Sequence, residues 1–139
     1  MSYKLVKDIT KAPDQQWYMW LNTEKSIGST PDPRDSTISY TDEEKSIILD
    51  YINNCVKSRP GYIGWDREYI DDNLLRMTYY FATEANARSF RMRNHDLSNQ
   101  YYSRFLEVIE NKETELSIPV YVTSWALYDE QGNAIHDIG

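Results

Sequence analysis

Asn94-His95-Asp96 is the one constellation in this chain whose residue types and spacing suit chemistry. An imidazole titrates near neutral pH, so His95 is the candidate catalytic residue, a proton carrier at a break in a helix. The alternative is a solvated histidine in that break. Asn94 stands as the only polar member of an otherwise apolar helical stripe. An unbonded amide there costs roughly 1–3 kcal/mol, so it needs a partner from backbone, water or a ligand. Tyr79, Phe81, Phe90, Asn94 and Tyr101 are the candidate binding residues around an apolar pocket, with Trp17 and Trp65 beside them. The same aromatic rings would serve equally as ordinary core.

Other chemistries lack their residues. A metal site needs several His, Cys or carboxylate ligands at helical or hairpin spacing. His95, His136 and Cys55 are scattered, so neither metal nor cofactor is expected. Asp42-Glu43-Glu44 reads as a helix cap and Asp71-Asp72 as a turn. Gly28 stands alone, without a phosphate-cradling glycine loop, and no Gly-x-Ser-x-Gly elbow occurs. Cys55 lies on an apolar stripe with no basic neighbour to stabilise a thiolate, so it reads as a small core residue.

The elements that would position these residues centre on residues 59–90. Pro60-Gly61 ends a helix. Residues 62–70 alternate as a strand, Asp71-Asp72-Asn73 turns, and residues 74–81 return as a second strand. On that return Leu75, Met77, Tyr79 and Phe81 share one face; Arg76, Thr78 and Tyr80 share the other. Thr83 caps the helix that follows, with Glu84 at the positive end of its dipole.

Before the hairpin come residues 3–9 and residues 16–21, each a plausible strand. The second is favoured as the first strand of the main sheet, for its aromatic content. Residues 22–40 form a long polar connection with Gly28, Pro31 and Pro33, expected to be a mobile or oligomer-contacting loop. Thr41 and Glu44 form a capping box, and apolar residues from Ile47 to Val56 follow helical spacing. After Glu84 a helical stripe of Ala87, Phe90, Asn94, Leu97, Tyr101, Phe105 and Val108 extends to Glu110. A break is expected at Asn94-His95, with Asp96 available to cap a new helix. Residues 118–128 supply the last strand.

The order is that of an α+β protein of the ferredoxin-like split βαβ kind, a single domain of residues 1–139 with two helices on one face of an antiparallel sheet. The face opposite the helices would carry Tyr18, Trp20, Arg76, Tyr80 and Trp125 or Tyr121, an aromatic patch suited to an interface.

A length of 139 residues, with 40% hydrophobic and 14% aromatic content, suffices for a real core. The net charge of -7 argues against nucleic acid and anionic membrane surfaces as partners. No apolar run reaches membrane-spanning length and MSYKLVKDITK lacks a signal-peptide core, so a cytoplasmic location is expected.

The run from Pro60-Gly61-Tyr62 through the hairpin to Phe81-Ala82-Thr83-Glu84 and Phe90 resembles the antibiotic-biosynthesis monooxygenase-like proteins of the dimeric α/β barrel superfamily. The resemblance covers residues 41–102. It implies a homodimer joined through the sheet face and a cavity between sheet and helices. It also implies binding, and cofactor-independent oxidation, of an aromatic small molecule, with His95 or a tyrosine as base. The haem-degrading branch has a tryptophan and a ligating histidine where this chain has Phe90 and Gln100, which argues against haem cleavage. The different-class alternative is a non-enzymatic accessory or assembly protein acting through protein contacts.

Overall fold

A computed structural model describes residues 2–19, 33–93, 97–119 and 121–135. The central hairpin forms as its alternation predicts. Strands β4 (Tyr62–Asp71) and β5 (Leu74–Phe81) pair antiparallel, and Asp71 Oδ1 accepts from Asn73 N at 2.8 Å to shape the turn. Strand β1 (Tyr3–Thr10) lies between β5 and β6 (Val122–Tyr128), and the short β7 (Ala134–Ile135) closes the far edge. The sheet order is β4-β5-β1-β6-β7 with every pair antiparallel, compatible with a ferredoxin-like arrangement.

The first strand of this sheet is therefore β1, not the aromatic segment favoured from sequence. β1 pairs along its length on both sides and buries Leu5 on one face and Val6 on the other. The aromatic segment supplies β2 (Trp17–Met19), which pairs parallel with β3 (Asp35–Thr37) in a separate ribbon. Its aromatic content answers to packing on the hairpin tip: Trp17 Nε1 donates to Asp72 O at 2.9 Å, and its ring meets Tyr69 and Tyr121.

Helix α1 (Asp42–Tyr51) starts at the predicted capping box. Thr41 Oγ1 accepts from Glu44 N at 3.2 Å, while Glu44 Oε1 accepts from Thr41 N at 2.8 Å. The helix continues into one π-helical turn (Ile52–Val56) before Pro60. Helix α2 (Glu84–Arg93) and helix α3 (Gln100–Leu116) are separate, as the helix-opposing residues between them foretold. The new helix is capped not by Asp96, the residue the sequence offered, but by Asn99, whose side chain accepts from Tyr101 N at 2.9 Å and Tyr102 N at 3.2 Å. Asn94, His95 and Asp96 lie outside the described residues, as do Trp20 and residues 21–32 of the long connection.

Two clusters make the core. Leu5, Phe81, Ala87, Phe90 and Leu127 pack between the sheet and α2, and Val56 of the π turn joins them. Burying each large apolar side chain there contributes about 1.5–3 kcal/mol. The second cluster holds Ile38, Tyr40, Ile48, Val108 and Ile118 between α1 and α3. Lys112 of α3 braces it by ion pairs to Glu44 at 3.3 Å and Glu115 at 3.5 Å. The described end of the long connection is thus structured: β3 belongs to the ribbon, and Ile38 and Tyr40 are buried. Among the described residues no helix is long and apolar enough to cross a membrane.

Candidate functional site

Strand alternation decides what the helices cover. Leu5, Tyr79, Phe81 and Leu127 point to α2, so Lys7, Met77 and Trp125 must point the same way. Register places Met77 opposite Lys7 on one side and Trp125 opposite it on the other. A lysine on this face departs from the apolar pattern of its strand. Its Nζ stands 5.4 Å from the centroid of the Trp125 ring. Arg91, one residue beyond the buried Phe90 in α2, brings its guanidinium to 4.9 Å from the same ring. Trp125 in turn stacks on Tyr79 at 6.2 Å and 22°, and Tyr79 meets Phe90 at 5.2 Å.

The electrostatics of this corner are one-sided. Burial and the nearby Arg91 charge hold the Lys7 ammonium below its ordinary pKa. Arg91 Nε is buried without a hydrogen-bond partner among the described residues. Among the described residues no carboxylate forms an ion pair with either group, whereas Arg88 on the same helix is paired with Glu84 at 3.3 Å. Cation–π contact with Trp125 offsets part of the cost, by roughly 0.5–2 kcal/mol for each cation. Burial, with the nearby Tyr62, pushes the Tyr79 phenol up to about 12, so it is a proton donor at neutral pH and not a base. Lys7, Arg91, Trp125 and Tyr79 are each only partly covered, so this corner stays open to solvent at its rim.

Of the residues singled out from sequence, Tyr79, Phe81 and Phe90 come together. Phe81 and Phe90 are nonetheless packed core, 0% and 3% exposed, with their rings 5.2 Å apart. Tyr101 does not join them: it is 42% exposed, and Tyr102 takes the buried position. Phe105 and Val108 of the expected stripe do face the core, whereas Tyr101, in the first turn after the Asn99 cap, falls to its rim. Leu97, on the same extrapolated stripe, is 65% exposed because it lies before the Asn99 cap, in neither helix. Asn94 and His95 fall outside the described residues. Cys55 is buried, its thiol pushed up by burial and donating to Asn99 Oδ1 at 3.3 Å, a structural role.

The signal that sequence reading missed was Lys7 itself. It stands between Leu5 and Ile9 on the parity that β1 buries. Trp125, offered with Tyr121 as alternatives for the open face, lies on the helix face. Tyr18 packs against the second core cluster, and the Tyr121 hydroxyl donates to Gln16 O near the ribbon. What occupies the open face is charge. A shallow groove of 350 Å³ runs between Lys4, Asp66, Glu68, Arg76, Tyr80 and Tyr128. Arg76 grips Asp8 through Nε at 2.8 Å and a terminal nitrogen at 3.1 Å. That pairing holds the guanidinium above its ordinary pKa. Among the described residues no group of three or more His, Cys, Asp or Glu is placed to hold a metal ion. No protein-family model matches the chain, and a search of curated proteins finds no match.

Proposed function

We propose that this is a small-molecule-binding protein similar to the antibiotic-biosynthesis monooxygenase-like proteins, taking a flat aromatic compound against Trp125 and Tyr79. The observation that carries the reading is the Lys7–Trp125–Arg91 corner, a polar seat beside an otherwise apolar helix-facing surface. Packing alone gives no reason for two cations over one partly exposed indole. Binding is placed ahead of oxidation, because the tyrosine that lies there holds its proton at neutral pH.

The test is a thermal-shift and calorimetric screen of aromatic acids, phenols and quinones. A binder at one hundred times its Kd stabilises the fold by about 2.7 kcal/mol, a shift of several degrees. Trp125→Leu is expected to abolish that shift while keeping the native circular dichroism. A broad screen with no shift in the wild-type protein overturns the reading. It would leave the accessory-protein reading, which the tight Phe81–Phe90 packing favours.

Dimerisation through the open sheet face is the second part of the proposal. The face mixes cations and anions: Lys4 and Arg76 stand near Asp66 and Glu68. A two-fold mate brings the same patch against itself, which suits mixed charge. Light scattering at micromolar concentration is expected to give twice the 16.4 kDa chain mass. Tyr80→Glu, which sets a further carboxylate beside Asp66, is expected to shift the protein towards monomer. A natively folded wild-type monomer at that concentration refutes the dimer.

A further inference from the structure

We propose that Lys7 and Arg91 form an anion seat, and that the ligand of the Trp125 site is an aromatic carboxylate. The proposal rests on reading that corner as a ligand site, and it adds the charge that the ligand must carry. The two cations share one ring, at 5.4 Å and 4.9 Å from its centroid, and the Arg91 charge lies close enough to act on Lys7. Their mutual repulsion is unrelieved among the described residues. Met77 lies across from Lys7 on β5, Leu5 and Ile9 flank it on β1, and Trp125 lies across from it on β6. None of these is an acid. Glu84, an acidic residue of α2, is engaged by Arg88.

A carboxylate between the two groups would relieve both. One oxygen would give Arg91 Nε the acceptor it lacks, and the other would meet the Lys7 ammonium. The attached ring would lie along Trp125 and Tyr79, which are already near-parallel at 22°. A guanidinium suits the planar carboxylate, and the lysine supplies a point charge beside it. The depressed Lys7 pKa agrees with a cation that has no counter-ion of its own.

The experiment compares 2-naphthoate with 2-naphthamide by isothermal calorimetry at moderate salt. The two differ in charge and hardly in shape. Wild-type protein is expected to bind the acid roughly 10–100-fold more tightly than the amide, the range of one charge-assisted hydrogen-bond pair. Lys7→Met and Arg91→Gln are each expected to bring that ratio near one, through a loss of roughly 10–100-fold in affinity for the acid. Unliganded Lys7→Met is also expected to melt higher than wild type, by about 3–8 °C for a fold of this size, because a half-buried cation repelled by Arg91 is removed. Equal binding of acid and amide by the wild type sinks the anion seat and leaves the aromatic-ligand reading standing. Binding of neither compound sinks both. A Lys7→Met variant that melts lower shows instead that the ammonium has a structural partner, and that too overturns the proposal.

Discussion

Phe81→Ala is expected to destabilise the fold by roughly 3–5 kcal/mol, the largest effect of any single truncation proposed for this chain. Phe81 is 0% exposed and sits at the C-terminal end of β5, paired with Tyr3 on one side and Tyr62 on the other. Its ring meets Tyr62 at 5.9 Å and Phe90 at 5.2 Å. Removing it withdraws support from β1, from the start of β4 and from α2 at once. The neighbours cannot close the void cheaply: Leu5, Ala87 and Leu127 are already fully buried, and two of them are fixed by sheet register. For a domain whose total stability is about 5–15 kcal/mol, the variant would be marginal at 37 °C. Urea unfolding measures the change. A loss under about 1 kcal/mol would mean that the cluster repacks and is not a single rigid core.

Gly61→Val is expected to cost roughly 2–4 kcal/mol, and Gly132→Ala only about 1 kcal/mol. Both glycines adopt positive φ, 73° and 83°. A Cβ at Gly132 meets nothing within 4 Å, so its substitution carries backbone strain alone. A Cβ at Gly61 would come within 2.7 Å of Asn86 Cγ and 3.0 Å of Asn86 Cβ. Strain and a collision with α2 therefore add. Valine adds the penalty of a β-branched residue in a left-handed conformation. Gly61 also ties the helix exit to the sheet, since its carbonyl accepts from Ala82 N at 2.8 Å. Gly61→Val combined with Asn86→Ala should recover part of the loss. If it recovers none, strain alone accounts for the effect.

Local signals were the ones that the sequence made readable. The hairpin turn at Asp72-Asn73, the Thr41–Glu44 box and the separation of α2 from α3 each depend on residues within a few positions. Pairing partners do not. Whether residues 3–9 or residues 16–21 entered the main sheet turned on contacts with β5 and β6, far away in the chain. The same limit left the face of Trp125 open: residues 122–128 carry apolar side chains on both parities, so alternation alone does not choose a face. Tyr101 was lost because the first turn after a new cap is not fixed by a stripe extrapolated from α2, although Phe105 and Val108 further along that stripe do face the core. The Lys7 corner was legible in principle from a charge at an inward position of β1. It becomes meaningful only when Arg91 and Trp125, from two other elements, are seen to meet it.

The two rims of the sheet bear on how copies of this chain can meet. β4 carries register irregularities near both of its ends, between Tyr62 and Gly64 and between Tyr69 and Asp71. Between them it bears Asp66, Arg67 and Glu68. β7, at the opposite rim, is just Ala134–Ile135. Kinked, charged or very short outer strands are poor templates for adding another strand. The backbone thus discourages end-to-end growth into extended ribbons on either side, the route by which sheet proteins form fibres. Association is steered to the broad surfaces, where a closed pair satisfies itself and then stops.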